Sequence, residues 1–244
     1  MMEAMNAGSV DFGQVGDSPP VFAQAAGANI VYVAGQPITN GQGILVKQDS
    51  EIRKLADLKG KRIALGKGTS AHNVTIMALE NAGLQFGDIT PVYLNPPEGA
   101  SAFARGSVDA WAVWDPYFSI GELKGGGRVL AQAIELGKTN SFYIANAGFA
   151  SAHGAFLRDA IAALAQVADW AEANRDQVGK SLAEVTGVDL EIQTFAARRS
   201  SFAIGRIDDG IVTTQQAVAD RFHKLGLIPK RVVVRDAVWT PPQS

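Results

Sequence analysis

The stretch Gly66-Lys67-Gly68-Thr69-Ser70-Ala71-His72-Asn73 sets two hydroxyls and a primary amide at a glycine turn. An apolar run, residues 62–65, precedes it, and Val74-Thr75-Ile76-Met77-Ala78-Leu79 follows. A strand entering such a turn, with Thr69 or Ser70 capping the next helix, leaves the first helical amides without internal acceptors. That end carries partial positive charge, and Thr69, Ser70 and Asn73 (one turn on) add side-chain donors. The chemistry on offer is capture of an anion by neutral groups. A simpler role, a helix cap with no ligand, is the commoner use of Thr or Ser at such a position. Nucleotide loops do not fit. A P-loop needs G-x-x-x-x-G-K-[ST], and the upstream glycine is missing; G-x-G-x-x-G fails at Ala71.

Val15-Gly16-Asp17-Ser18-Pro19-Pro20 repeats the logic: a strand end, a glycine, and a helix start with an early proline. In open α/β folds ligands bind beyond the carboxyl ends of strands, so two such helix starts facing one cleft would make a small-anion pocket. Asp17 argues the other way, because a carboxylate repels an anion; its simpler role is the N-cap. A third cluster is Trp111-Ala112-Val113-Trp114-Asp115-Pro116. Strand alternation puts Trp111 and Val113 on one face and Trp114 on the other, near the strand end. Trp114 there is either a wall for an apolar ligand tail or core packing.

Other chemistries find little footing. The sequence has no cysteine, which excludes disulfides, thiolate nucleophiles and thiolate-held metals. His72, His153 and His223 lack metal-ligand spacing, so no metal and no cofactor is expected. No serine lies in a G-x-S-x-G context. His72 either borders the anion or faces solvent from the first helical turn. Arg198 and Arg199 either reach the cleft and complement the anion or form a solvated surface. Glu172, Arg175 and Asp176 read as the exposed face of a long helix. A net charge of −2 gives no reason to expect nucleic acid or an anionic membrane as partner.

The elements that must position these residues follow from period and punctuation. With 244 residues, 47% hydrophobic and 19% charged, the chain can bury a sizeable core in one large domain or two lobes. No uninterrupted apolar run approaches the ~20 residues of a membrane span, and no signal peptide is visible. Residues 1–9 read as the end of a helix stopped by Gly8, as though the sequence began within a larger unit. Strands are expected at 10–15, 30–34, 44–46, 61–65, 91–94, 108–114 and 128–130, with helices at 21–26, 71–82 and 99–106. Residues 141–150 read as extended and crossing between lobes. Helical spacing of Leu157, Ile161, Leu164 and Ala168, and of Val218, Phe222 and Leu225, makes the later part mostly helical. Strands alternating with helices imply a parallel-type sheet covered on both faces.

NAGSVDFGQVGDSPPVFAQAAGANIVYV, KGTSAHN, PVYL, FARGSVDAWAVWDPYF, GGGRVL and GLIPKRVVVRDAVW, in this order, resemble the aliphatic-sulfonate-binding proteins of bacterial ABC importers across essentially the whole chain. KGTSAHN with VDAWAVWDPY resembles the sulfonate branch; the remainder is shared with relatives for taurine, nitrate and thiamine-precursor pyrimidines. The resemblance implies an α/β fold of the periplasmic-binding-protein-like type II, two lobes joined by two crossover segments with the ligand cleft between them. Lobe 1 would take residues 1–45 and 147–244, and lobe 2 residues 46–146. By matching position, Gly16, Asp17, Gly68, Thr69, Ser70, Asn73, Trp114 and Asp115 would line the cleft. The function implied is the substrate-binding component that captures alkanesulfonates for sulfur acquisition. It would be a periplasmic monomer that hands its ligand to a permease in the inner membrane. Relatives also carry a signal peptide and a strand–helix–strand segment ahead of the helix that here starts at Met1, so that part of lobe 1 is expected to be missing from this sequence. A pyrimidine ligand would need stacking and carboxylate acceptors, whereas this motif offers mainly donors. An effector-sensing domain would need a helix-turn-helix, and an enzyme would need a nucleophile or metal ligands; neither is readable.

Overall fold

The structure is a computed structural model that describes residues 1–38 and 40–241. Along the chain come α1 (Met2–Asn6), β1 (Phe12–Val15), α2 (Ser18–Ala25), β2 (Ile30–Pro37), β3 (Gln42–Lys47), β4 (Arg62–Leu65), α3 (Ser70–Asn81), β5 (Thr90–Tyr93) and α4 (Pro96–Ala104). They are followed by β6 (Ala110–Trp114), α5 (Tyr117–Leu123), β7 (Gly127–Gln132), α6 (Ala133–Leu136), β8 (Asn140–Asn146) and α7 (Ala147–Ala152). The remaining helices are α8 (Gly154–Ala173), α9 (Arg175–Thr186), α10 (Leu190–Arg199) and α11 (Asp209–Lys224). Two compact units result. Unit 1 takes Met1–Pro37, Thr139–Ala173 and Phe202–Ser244; unit 2 takes Ile38–Lys138 and Asn174–Ser201.

Unit 2 is built on a five-stranded sheet of order β5-β4-β6-β3-β7. β4 pairs in parallel with β5 and β6, while β3 runs antiparallel to β6 and β7. Helices cover both faces, so β3 reads as a nearly continuous buried run rather than an alternating one. On one face Ile44, Val46, Ile63 and Leu65 pack against Ala71, Val74 and Ala78 of α3. On the other, Leu45, Ala64, Trp111 and Val113 pack with Phe103 and Phe118. Burial of each Ile or Leu of this kind stabilises the fold by roughly 1.5–3 kcal/mol. α4 starts at Pro96-Pro97 behind Asn95, whose Oδ1 accepts from the Glu98 amide at 3.0 Å while Glu98 Oε2 accepts from the Asn95 amide at 3.1 Å. Such a reciprocal cap satisfies two amides that the helix cannot serve itself.

Unit 1 holds a three-stranded sheet of order β1-β8-β2, with β8 antiparallel to both neighbours. A bulge at Val33, between Tyr32 and Ala34, shifts the β2–β8 register. Val33, Ala145, Ala150 and Leu157 form its buried cluster. The Tyr32 and Phe142 rings meet edge-on at 5.0 Å. Its polar centre is Gln215, whose Nε2 donates to the Asp17 carbonyl oxygen at 2.6 Å and to the Tyr32 hydroxyl at 3.3 Å. Burial raises the Tyr32 pKa, so this hydroxyl stays protonated and donates to Gln24 Oε1 at 3.1 Å.

Several expectations are corrected. Between the named strands, parallel pairing is confined to β5-β4-β6; the unit 1 strands pair antiparallel, through contacts between residues more than a hundred positions apart that local periodicity does not carry. Residues 147–150 are helical, not extended. Asn146 ends β8 and its Oδ1 accepts from the Gly148 and Phe149 amides at 2.9 and 3.2 Å, which starts α7. The division into 1–45 with 147–244 against 46–146 also differs from the observed one. β3 pairs with β6 and β7 and so belongs to unit 2 whole. α9 and α10 pack on each other and α10 on α5, which brings 174–201 back to unit 2. The chain therefore passes between the units four times rather than the two expected.

Candidate functional site

The turn from β4 into α3 is held by short, specific bonds. Thr69 Oγ1 donates to the Gly66 carbonyl oxygen at 2.7 Å, and a Cβ added at Gly66 would lie 2.8 Å from Thr69 Cγ2. Gly68 has φ +70°, a left-handed conformation that side-chain-bearing residues adopt at a cost of roughly 1–2 kcal/mol. Its amide donates to His72 Nδ1 at 3.3 Å. His72 is fully buried, with Phe86 at 5.0 Å and Tyr93 at 5.9 Å between ring centres. Burial, with Lys67 nearby, lowers its pKa to about 4, so the ring is neutral at pH 7 and adds no charge to the turn. An Nδ1 that accepts places the proton on Nε2.

Thr69 occupies the N-cap position, yet its side chain makes no cap bond to α3. The His72 amide bonds to the Thr69 carbonyl oxygen at 2.9 Å, and the Asn73 amide does so at 3.4 Å. The Ser70 and Ala71 amides donate to no backbone carbonyl among the described residues. Ser70 and Asn73 are both buried. A helix of twelve residues thus begins with amides and a buried Ser70 hydroxyl and with no cationic side chain in its first turn, while its cap hydroxyl is turned back onto Gly66. Such an end stabilises an anion through the oriented amides.

β6 runs parallel beside β4, so Trp114 and Asp115 leave the sheet at the edge where α3 begins. Trp114 is half-buried and touches the apolar clusters on both faces at the strand end. The Asp115 carboxylate is engaged throughout. Oδ1 accepts from the Ser119 amide at 2.9 Å and the Ser119 hydroxyl at 2.6 Å, anchoring α5. Arg199 Nε donates to Oδ2 and Nη2 to Oδ1. Arg199 Nη1 also bonds Glu122 Oε2 at 2.8 Å, and its guanidinium stacks over Phe118 and Phe195. Burial works against the Arg199 charge, but Asp115 and Glu122 outweigh it and raise its pKa.

Arg199 is thus neither a free cleft cation nor a solvated surface group. It is a buried clamp inside unit 2, and only Arg198, paired with Asp176 at 2.8 Å, fits the surface reading. Arg175 also departs from an exposed helix face, since its guanidinium donates to the carbonyl oxygens of Ala197 and Ser200. Glu172 accepts from the Phe202 amide at 2.6 Å.

Gly16 and Asp17 lie in unit 1. Asp17 is fully buried with helical backbone angles, and although it precedes α2 its side chain makes no cap bond; Oδ1 accepts from the Ser18 hydroxyl at 2.7 Å instead. Pro19 and Pro20 follow Ser18, so two of the first three positions of α2 have no amide hydrogen to offer. Of the two helix starts singled out from the sequence, α3 is the one rich in donors. Gly68, Thr69, Ser70, Asn73, Trp114 and Asp115 share one sheet edge of unit 2. His72 was legible as part of the motif, but its buried role in fixing Gly68 was not. The Arg199 clamp gave no local signal, because its partner Asp115 is 84 residues away. Among the described residues no three His, Asp or Glu side chains gather in a metal-holding group, and no helix is long and apolar enough to cross a membrane.

Residues 1–178 match the family described as NMT1/THI5 like. A protein of Escherichia coli (strain K12) named for binding aliphatic sulfonates is 42% identical over 245 residues, covering 100% of this chain and 77% of its own length. A namesake from Bacillus subtilis (strain 168) is 31% identical over 239 residues, covering 97% of this chain and 72% of its own. The alkanesulfonate-binding protein SsuA from Xanthomonas axonopodis pv. citri, solved bound to MOPS, superposes with a TM-score of 0.92 at 42% identity, covering 98% of this chain and 83% of that one. The fold, the ordered run of motifs and this similarity over the full described length agree: the chain belongs to the NMT1/THI5-like family, beside its aliphatic-sulfonate-binding members.

Proposed function

We propose that this protein is the substrate-binding component of an ABC importer that captures aliphatic sulfonates, with the sulfonate head at the first turn of α3. The observation that carries this reading is the neutral donor set there: the Ser70 and Ala71 amides and the Ser70 hydroxyl, on a turn fixed by Gly66, Gly68 and His72. A sulfonate is a monoanion with three acceptor oxygens and no proton at neutral pH. Oriented amides suffice for it, and the lack of a dedicated cation keeps release easy. Trp114 and Asp115 border the same edge, Trp114 with apolar surface for an alkyl chain and Asp115 as the anchor of the strand end. Gly16 and Asp17 remain a second candidate set in unit 1.

The protein binds and releases its ligand and is not an enzyme, as its similarity to binding proteins supports. It works as a monomer in the periplasm and delivers to a membrane permease. A thermal-shift panel of alkanesulfonates, nitrate, phosphate and a pyrimidine tests the ligand class. Ligand that binds only the folded state raises the melting temperature. Sulfonates are expected to do so; stabilisation by phosphate or pyrimidine alone would overturn the assignment.

A further inference from the structure

Gln42, the first residue of β3, is 4% exposed, and its Nε2 is buried with no hydrogen-bond partner among the described residues. A buried amide donor left unmade destabilises the fold, so its retention needs a reason. Its position supplies one. Gln42 pairs with Trp114 across β3–β6, at the edge where β4 and β6 end and α3 begins. Strand alternation puts it on the face of Ile44 and Val46, the face covered by Ala71, Val74 and Ala78 of α3. The orphan amide therefore lies on the α3 face of the sheet, at the edge where that helix starts and where the Ser70 and Ala71 amides donate to no backbone carbonyl among the described residues.

The segment carrying Gln42 is fixed rather than adaptable. The Asp115 amide donates to the Gly41 carbonyl oxygen at 2.8 Å, and a Cβ at Gly41 would lie 2.9 Å from Asp115 Oδ2. Asp115 is itself held by Arg199. The clamp thus sets the strand end from which Gln42 projects.

We infer that Gln42 is a ligand-binding residue: its Nε2 donates to an oxygen of the sulfonate seated at the α3 N-terminus. The assignment rests on the proposed sulfonate reading and adds a residue, from a different strand, to the donors of α3. A primary amide extends the neutral donor set without adding charge, and the donor finds its partner only when the ligand is present.

The test is calorimetric titration of butanesulfonate and MOPS into the wild type, Gln42→Leu and Gln42→Met, with urea melts of each alone. Both variants keep the side-chain length near that of glutamine and remove the donor. Loss of one hydrogen bond to a charged group weakens binding by about 10- to 100-fold. Removing an unsatisfied buried donor leaves the urea midpoint equal or raised. Wild-type affinity in either folded variant would show that Gln42 holds at most a water, and would overturn the assignment while the sulfonate reading stands. A wild type that binds neither sulfonate would overturn both.

Discussion

One guanidinium grips both carboxylate oxygens of Asp115: Arg199 Nε donates to Oδ2 and Nη2 to Oδ1, each at 2.8 Å, with both side chains almost wholly buried. The pair joins the end of α10 to the β6–α5 turn, and Glu122 and Ser119 complete it. Removing one partner of a buried pair strands the other charge, which typically costs 3–5 kcal/mol. Arg199→Ala is expected to destabilise the protein by about that much in urea melts. Arg198→Ala, which breaks the exposed pair with Asp176, is expected to leave the urea midpoint almost unchanged. Equal effects of the two substitutions would mean that the Asp115 clamp is no stronger than a surface pair.

Replacing Thr69 and Ser70 together by Ala removes the hydroxyl that ties the turn to Gly66 and the hydroxyl at the head of α3. Sulfonate affinity should fall by roughly 1–3 kcal/mol. Calorimetry reads the affinity, and melts report the part due to the turn itself. Unchanged affinity with lowered stability would reduce both hydroxyls to structural groups.

Gly68→Ala places a Cβ on a left-handed residue and should cost about 1–2 kcal/mol of stability. Gly68→Asn should cost less, because asparagine tolerates that region. Urea midpoints compare the two, and an alanine variant as stable as the wild type would show that the turn relaxes to another conformation.

His72 predicts a pH dependence. Its folded pKa is held at about 4 by burial and then by Lys67, against an ordinary value near 6.5. Between these values the unfolded chain binds a proton that the folded one does not, so stability is fully present above about pH 6.5 and falls as pH drops toward 4. The loss integrates to roughly 3 kcal/mol. His72→Asn keeps an acceptor near Gly68 and removes the titration. Urea melts from pH 7 to 4.5 should slope downward for the wild type and flatten for the variant; parallel slopes would assign the acid sensitivity elsewhere.

The β4–turn–α3 unit was legible because its determinants are local: an apolar strand, two glycines and hydroxyls at a helix start, then an apolar face. The same holds for the Trp111/Trp114 alternation, since strand geometry alone sets it. What depends on distant pairing was not. The antiparallel unit 1 sheet needs Phe12 opposite Ala145 and Ile30 opposite Asn146, and neither strand carries a mark of its partner. Arg199 read as a charge beside another charge until α10 folded back against α5. Gln42 lies ahead of the strand expected at 44–46, and its residue type alone singled it out for nothing. What distinguishes it is a buried Nε2 with no hydrogen-bond partner among the described residues.

The most direct measurement is calorimetric titration of the purified protein with butanesulfonate, phosphate and the matching carboxylate, pentanoate, at neutral pH. A site of neutral donors on a fixed helix start should give saturable binding of butanesulfonate at one site per chain, with phosphate and pentanoate weaker by at least about tenfold, or 1.4 kcal/mol. Absence of sulfonate binding, or tighter binding of phosphate, would contradict the account.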